Sequence, residues 1–190
     1  MLTISQLILL GMQLTGIKEG NPYLDVVRPR VELAAAAVNE IYNKGFRTKK
    51  GELVRIEPLF DVSESEPYEK ALEDSEKLTL SIANHESGFQ PHLVNKEGDC
   101  GIMQVKSHWI WLLAHSTCEE VKKDIKLGMW LGVEVLRMHK KECLDRLPPS
   151  ERAKGRPASY WLGAYASGVC GGAPMKAREL CSPVGLCDTK

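Results

Sequence analysis

Glu86 is the residue whose type and setting best suit it to chemistry. Leu78 and Ile82 lie four and eight residues before it, so the acid shares a helix face with an apolar stripe. Ser87-Gly88 then interrupts the pattern, as a glycine stop does at a helix end. A carboxyl group set against apolar neighbours favours its protonated form, because burial disfavours charge. Held protonated near neutral pH, such a group is a general acid. A metal reading of His85-Glu86 fails, since a zinc-protease helix needs a second histidine where this chain has Phe89. His85, His92, His108, His115 and His139 show no ligand spacing and read as surface or polar-network residues, so no metal and no cofactor is expected. No nucleophile elbow and no paired Cys/His signature supports covalent catalysis by the protein. Cleavage of a glycoside, whose leaving oxygen needs a proton, suits a lone buried glutamate better.

The elements that must hold Glu86 read as helices. Val31, Ala34, Ala35, Val38, Ile41 and Tyr42 repeat at helical spacing, and Lys44-Gly45 closes that run. Residues 47–51 form a basic turn, and residues 53–56 a short strand or an extended connection. Residues 61–67 are acidic and Ser-rich, a loop before the Glu86 helix. Val121, Ile125, Gly128, Met129, Gly132, Val135 and Leu136 read as one further helix. Its two glycines are costly inside a helix and imply a close neighbouring backbone. Leu147-Pro148-Pro149-Ser150 breaks the chain, and residues 160–165 read as a final core helix.

Composition bounds the rest. The chain has 190 residues, enough for one well-buried core and too few for two full domains. Its 25 basic and 25 acidic residues balance, which gives no footprint for nucleic acid. Three phenylalanines among many leucines and alanines favour helices over a sheet-rich sandwich. Residues 4–14 are apolar, but they make only about half of the roughly 20 residues a spanning helix needs, and Gln6 and Gln13 interrupt them. They read as a helix packed on the core, with an unusual export signal as the alternative; no stable membrane insertion is expected. Cys100, Cys118, Cys143, Cys170, Cys181 and Cys187 contain no Cys-x-x-Cys pair. Two or three disulfides are favoured over buried thiols, with the Gly- and Pro-rich tail stapled down, which places the working protein outside a reducing cytosol.

Four segments, in order, carry a family resemblance across about residues 75–170. Glu86-Ser87-Gly88-Phe89-Gln90-Pro91 and Gly98-Asp99-Cys100-Gly101-Ile102-Met103-Gln104-Val105 resemble the core of the lysozyme-like lytic transglycosylases. Ile125-Lys126-Leu127-Gly128-Met129-Trp130-Leu131 is similar to that family's Ile-x-x-Gly-x-x-Leu helix, and Ala164-Tyr165-Ala166-Ser167-Gly168 to its Ala-Tyr-Asn-x-Gly motif. The resemblance implies a mainly α, lysozyme-like domain at residues 71–190 with a Cys-rich tail. Residues 1–70 would be an N-terminal helical extension, packed on the core or serving as a docking region. It implies cleavage of the β-1,4 bond between N-acetylmuramic acid and N-acetylglucosamine in the glycan strands of peptidoglycan, by a monomer. Glu86 would donate and then recover a proton, closing a 1,6-anhydro product, and Tyr165 would orient Glu86 through a hydrogen bond. Ser87, Met103 and Gln104 would line the sugar sites. Set beside these roles, Met103 could be core, Gln104 could cap a backbone group, and Trp109 and Trp111 could stack on sugars or pack inside.

Two departures leave alternatives open. The family's Asn is Ala166 here, so an amide contact to substrate is missing or comes from elsewhere. Asp99 stands where the family has a small apolar residue, and goose-type lysozymes place an aspartate nearby to position water. Asp99 or Glu97 would then make an inverting hydrolase, with carboxyl groups roughly 6.5–9.5 Å apart. A non-catalytic wall-binding or assembly protein is the rival from another class. Action in the periplasm or outside the cell fits, and a phage endolysin released at lysis is one setting.

Overall fold

Thr3 and Gln6 cap each other reciprocally and open α1 (Ile4–Leu14), whose Leu7 is wholly buried. The computed structural model describes residues 1–62, 67–152 and 157–188. α2 (Leu24–Lys44) ends at Gly45, where φ is 77° and a Cβ would lie 2.5 Å from the Val54 carbonyl oxygen, so only glycine fits. The basic turn closes a small antiparallel hairpin of β1 (Phe46–Arg47) and β2 (Leu53–Val54), with Phe46 opposite Val54. The acidic loop expected at residues 61–67 lies in part, at 63–66, outside the described residues.

α3 (Tyr68–Ser87) runs through the middle of the molecule, with Leu78, Leu80, Ile82 and Ala83 wholly buried. Gly88 caps it in the left-handed conformation, its N–H donating to the Asn84 carbonyl at 2.8 Å. α1 and α2 pack on α3, and their Leu7, Val31 and Val38 share one continuous core with Ile82 and Leu131. Asn84 ties the arrangement further by donating to the Leu14 carbonyl at 3.0 Å.

The helix expected from Val121 to Leu136 is two helices. Asp124 is extended (φ −119°, ψ 97°), ends α5 (Cys118–Lys123), and caps α6 (Ile125–Asp145) by accepting the Leu127 N–H at 3.1 Å. α4 (Ser107–Ala114) precedes them. The neighbours of the α6 glycines are mainly side chains: a Cβ on Gly132 would lie 2.6 Å from Met103, and one on Gly128 would touch Ile102, Val121 and, at 3.8 Å, the Val121 carbonyl oxygen. Beyond the proline break, α7 (Pro149–Arg152) is one turn long, and α8 (Ala158–Ser167) buries Trp161 and Leu162. α8 is not the last helix. The tail folds into α9 (Pro174–Cys181) and a 3-10 turn (Ser182–Val184), with Ala177, Leu180 and Cys181 in the core.

All six cysteines pair, as Cys100–Cys118, Cys143–Cys170 and Cys181–Cys187. The last bridge staples the tail locally, while Cys170 reaches back to the end of α6. The molecule is mainly α, and among the described residues no helix is long and apolar enough to cross a membrane.

Candidate active site

Gly88 stops α3 immediately after Ser87, so Glu86 stands in the last turn at the mouth of a groove of about 380 Å³. Leu78 and Ile82 are fully buried on the same face, while the Glu86 carboxyl reaches the groove half-buried. Burial raises its pKa above the ordinary carboxyl value; Lys176 and His85 pull it back, and Asp99 adds to the rise. No described residue gives the Glu86 carboxyl a hydrogen bond, so a ligand oxygen meets it without a competitor.

The chain between α3 and α4 builds one side of the groove. Cys100 is its hub: it bridges to both Val94 and Val105, with N–H···O distances to Val105 of 2.9 Å in each direction. The Cys100–Cys118 disulfide fixes this hub to the start of α5. Asn95 closes the turn before it, its Oδ1 accepting from the backbone N–H of Glu97 and of Asp99, both at 2.9 Å. The Asn95 amide also donates to the Asp99 carboxylate at 2.8 Å. Asp99 and Glu97 thereby both line the groove with Glu86.

Gln104 takes a left-handed backbone (φ 46°) and is 8% exposed at the groove wall. Its side-chain nitrogen caps the carbonyls of Leu93 and Gly101, at 3.1 and 2.7 Å. Both amide hydrogens are thus engaged, and its Oε1 is left without a donor among the described residues. Gln104 therefore presents no free donor to the groove, and its unpartnered Oε1 is itself buried, unlike the donor-and-acceptor pair that the sequence implies.

Three expected roles change with the geometry. Ser87 is buried away from the groove, and its hydroxyl donates to the carbonyls of Ala83 at 3.0 Å and Ile102 at 2.8 Å. It locks the end of α3 to the Met103 segment. Met103 is fully buried in the notch left by Gly132, so it is core and not a sugar contact. Tyr165 lines the groove beside Glu86, but its hydroxyl donates to the Met103 carbonyl at 2.8 Å and not to Glu86. Burial, with Glu86 and Asp99 adding, holds the phenol well above its ordinary pKa, so it stays protonated.

Ala166 and Ser167 complete the Tyr165 side, and the Ser167 hydroxyl donates back to Gly163 at 2.7 Å. Trp109 lines the groove, edge-on to His139 at 6.1 Å. Trp111 does not; it is 63% exposed on α4. His139 and Lys176 are groove residues that sequence reasoning missed. Burial lowers the His139 pKa and keeps the ring neutral. Its position on α6, seven residues after Gly132, offered a signal, whereas Lys176 lies in a tail read as irregular.

The family model described as Transglycosylase SLT domain matches residues 65–172, from just before α3 to just after α8. No curated protein and no solved structure matches the chain. The matched span covers more than half of the 190 residues and contains the groove apart from Lys176. This chain belongs to the SLT transglycosylase family, lysozyme-like enzymes that act on peptidoglycan.

Proposed function

We propose that this protein is a lytic transglycosylase in which Glu86 acts alone as acid and then base. The protonated Glu86 gives its proton to the glycosidic oxygen between N-acetylmuramic acid and N-acetylglucosamine, and the anomeric C–O bond breaks. The resulting carboxylate takes the proton of the muramoyl 6-hydroxyl as that oxygen bonds to the anomeric carbon. The product is a 1,6-anhydromuramoyl end, and Glu86 is protonated again without water entering the balance. The observation that carries this reading is the half-buried Glu86 at the groove mouth, its pKa raised by burial and its oxygens unpartnered by described residues.

In this scheme Gln104 braces the groove wall by capping the Leu93 and Gly101 carbonyls, and Ala166 leaves room where the family places an amide. Tyr165 is a positioning residue: it fixes the Met103 peptide and, through it, the wall that carries Gln104. The catalytic unit is residues 71–190, and α1 and α2, within residues 1–70, brace α3 from behind. Action on the wall places the working protein in the periplasm or outside the cell.

A second reading rests on Asp99 and Glu97 lining the same groove: an inverting hydrolase in which one of them positions water. Mass spectrometry of digested peptidoglycan separates the two, because anhydro ends come from transglycosylation and reducing ends from hydrolysis. Glu86→Gln should lower the rate by at least about a hundredfold with the helical circular dichroism unchanged. Undiminished clearing of cell walls by that variant would sink the acid assignment, and absence of clearing by wild type would leave a wall-binding role.

A further inference from the structure

α9 begins at Pro174, beyond the residues that match the family, yet it supplies a charged group to the groove. It is firmly built into the fold. The Ser81 hydroxyl of α3 donates to the Leu180 carbonyl at 2.6 Å, Cys181–Cys187 closes its far end, and Leu180 is wholly buried. Its leading connector lies directly on α8: a Cβ on Gly163 would sit 2.3 Å from the Gly172 carbonyl oxygen, and the Gly171 N–H donates to Tyr160 at 2.8 Å. Lys176 is therefore held in place relative to Glu86 and is not a feature of a loose tail.

The position is a costly one for a lysine. It falls in the first turn of α9, where the aligned peptide dipoles repel a cation and no side chain caps the helix. The ammonium has no ion-pair or hydrogen-bond partner among the described residues. Lys176 acts on Glu86 through space, and no ion pair forms between them. A cation left unpaired at a groove wall calls for an anion from the ligand. The sugar rings of the glycan strand are neutral there; the anionic groups near a muramoyl residue are the carboxylates of the peptide it carries.

Resting on the reading of the groove as a glycan site, we propose that Lys176 binds a carboxylate of the peptide borne by the muramoyl unit at the scissile bond. α9 would then make the enzyme read the peptide as well as the sugar.

The test uses soluble, uncrosslinked glycan strands with native peptides and the same strands after carbodiimide amidation of their carboxylates. Wild type should show a KM about fivefold higher on amidated strands, the scale of one solvent-exposed ion pair. Lys176→Met should show the raised KM on both substrates and lose the difference between them, and Lys176→Arg should follow wild type. A Lys176→Met enzyme that keeps the wild-type preference for native strands overturns the assignment. Equal KM for wild type on both strands overturns it too, while leaving the glycosidase reading intact. Absence of cleavage of either strand by wild type overturns both.

Discussion

A carboxyl group that must both give and take a proton works best near its own pKa, and Glu86 approaches that condition through partial burial. Donation needs the protonated form, so kcat/KM should hold on the acid side and fall as pH rises through the raised Glu86 pKa. Asp99 contributes to the rise, so Asp99→Asn should move that fall to lower pH; a pH–rate profile beside wild type checks it. An unmoved limb would remove Asp99 from the electrostatics of the site, and complete loss of activity would give it the water-positioning role. At this scale the sequence is informative wherever a regular element turns spacing into direction. Glu86 is legible because Leu78 and Ile82 define its face. Ser87, Met103 and Tyr165 are singled out by the resemblance as site residues, but their orientations are not legible. Ser87 and Tyr165 each reach across to a carbonyl of the Ile102-Met103 segment, a contact that no periodicity contains.

Between elements, Met103 fits closely into the notch of Gly132. That methionine side chain sits against α6, while its carbonyl receives the Tyr165 proton, so α6 and α8 are coupled through one residue. Gly132→Ala would push a methyl into atoms 2.6 Å away, among them the Met103 Cβ, which cannot swing aside. The expected cost is about 1–3 kcal/mol in stability, with a loss of up to about a hundredfold in kcat as the groove wall shifts. Denaturant unfolding and single-turnover cleavage measure the two, and an unimpaired kcat would uncouple Met103 from the site. Two misread boundaries at this scale had local signals. Thr117-Cys118-Glu119-Glu120 is a capping box and marks a new helix before Val121. Pro174 at the first position of α9 is another such start.

For the molecule as a whole, the mainly α architecture follows from summed helical patterns, and the single core follows from chain length. Disulfide pairing does not, because partners such as Cys143 and Cys170 meet only when α6 and α8 pack. Cys100–Cys118 encloses 18 residues of separation and joins the groove wall to α5. Replacing both with serine should cost about 3 kcal/mol by the loop-closure argument. It should also lower kcat while the helical circular dichroism persists. Unfolding curves and strand-cleavage rates test this; full activity in the serine variant would show that the wall needs no covalent support.

That same bond carries a meaning for timing. Until it forms, the turn bearing Asp99 and Gln104 has no covalent tie to α5 and is held by its backbone bridges, by Asn95 and by the contacts of the Ile102-Met103 segment. In a reducing compartment that covalent link between the groove wall and α5 is absent, and it closes only where the surroundings oxidise thiols.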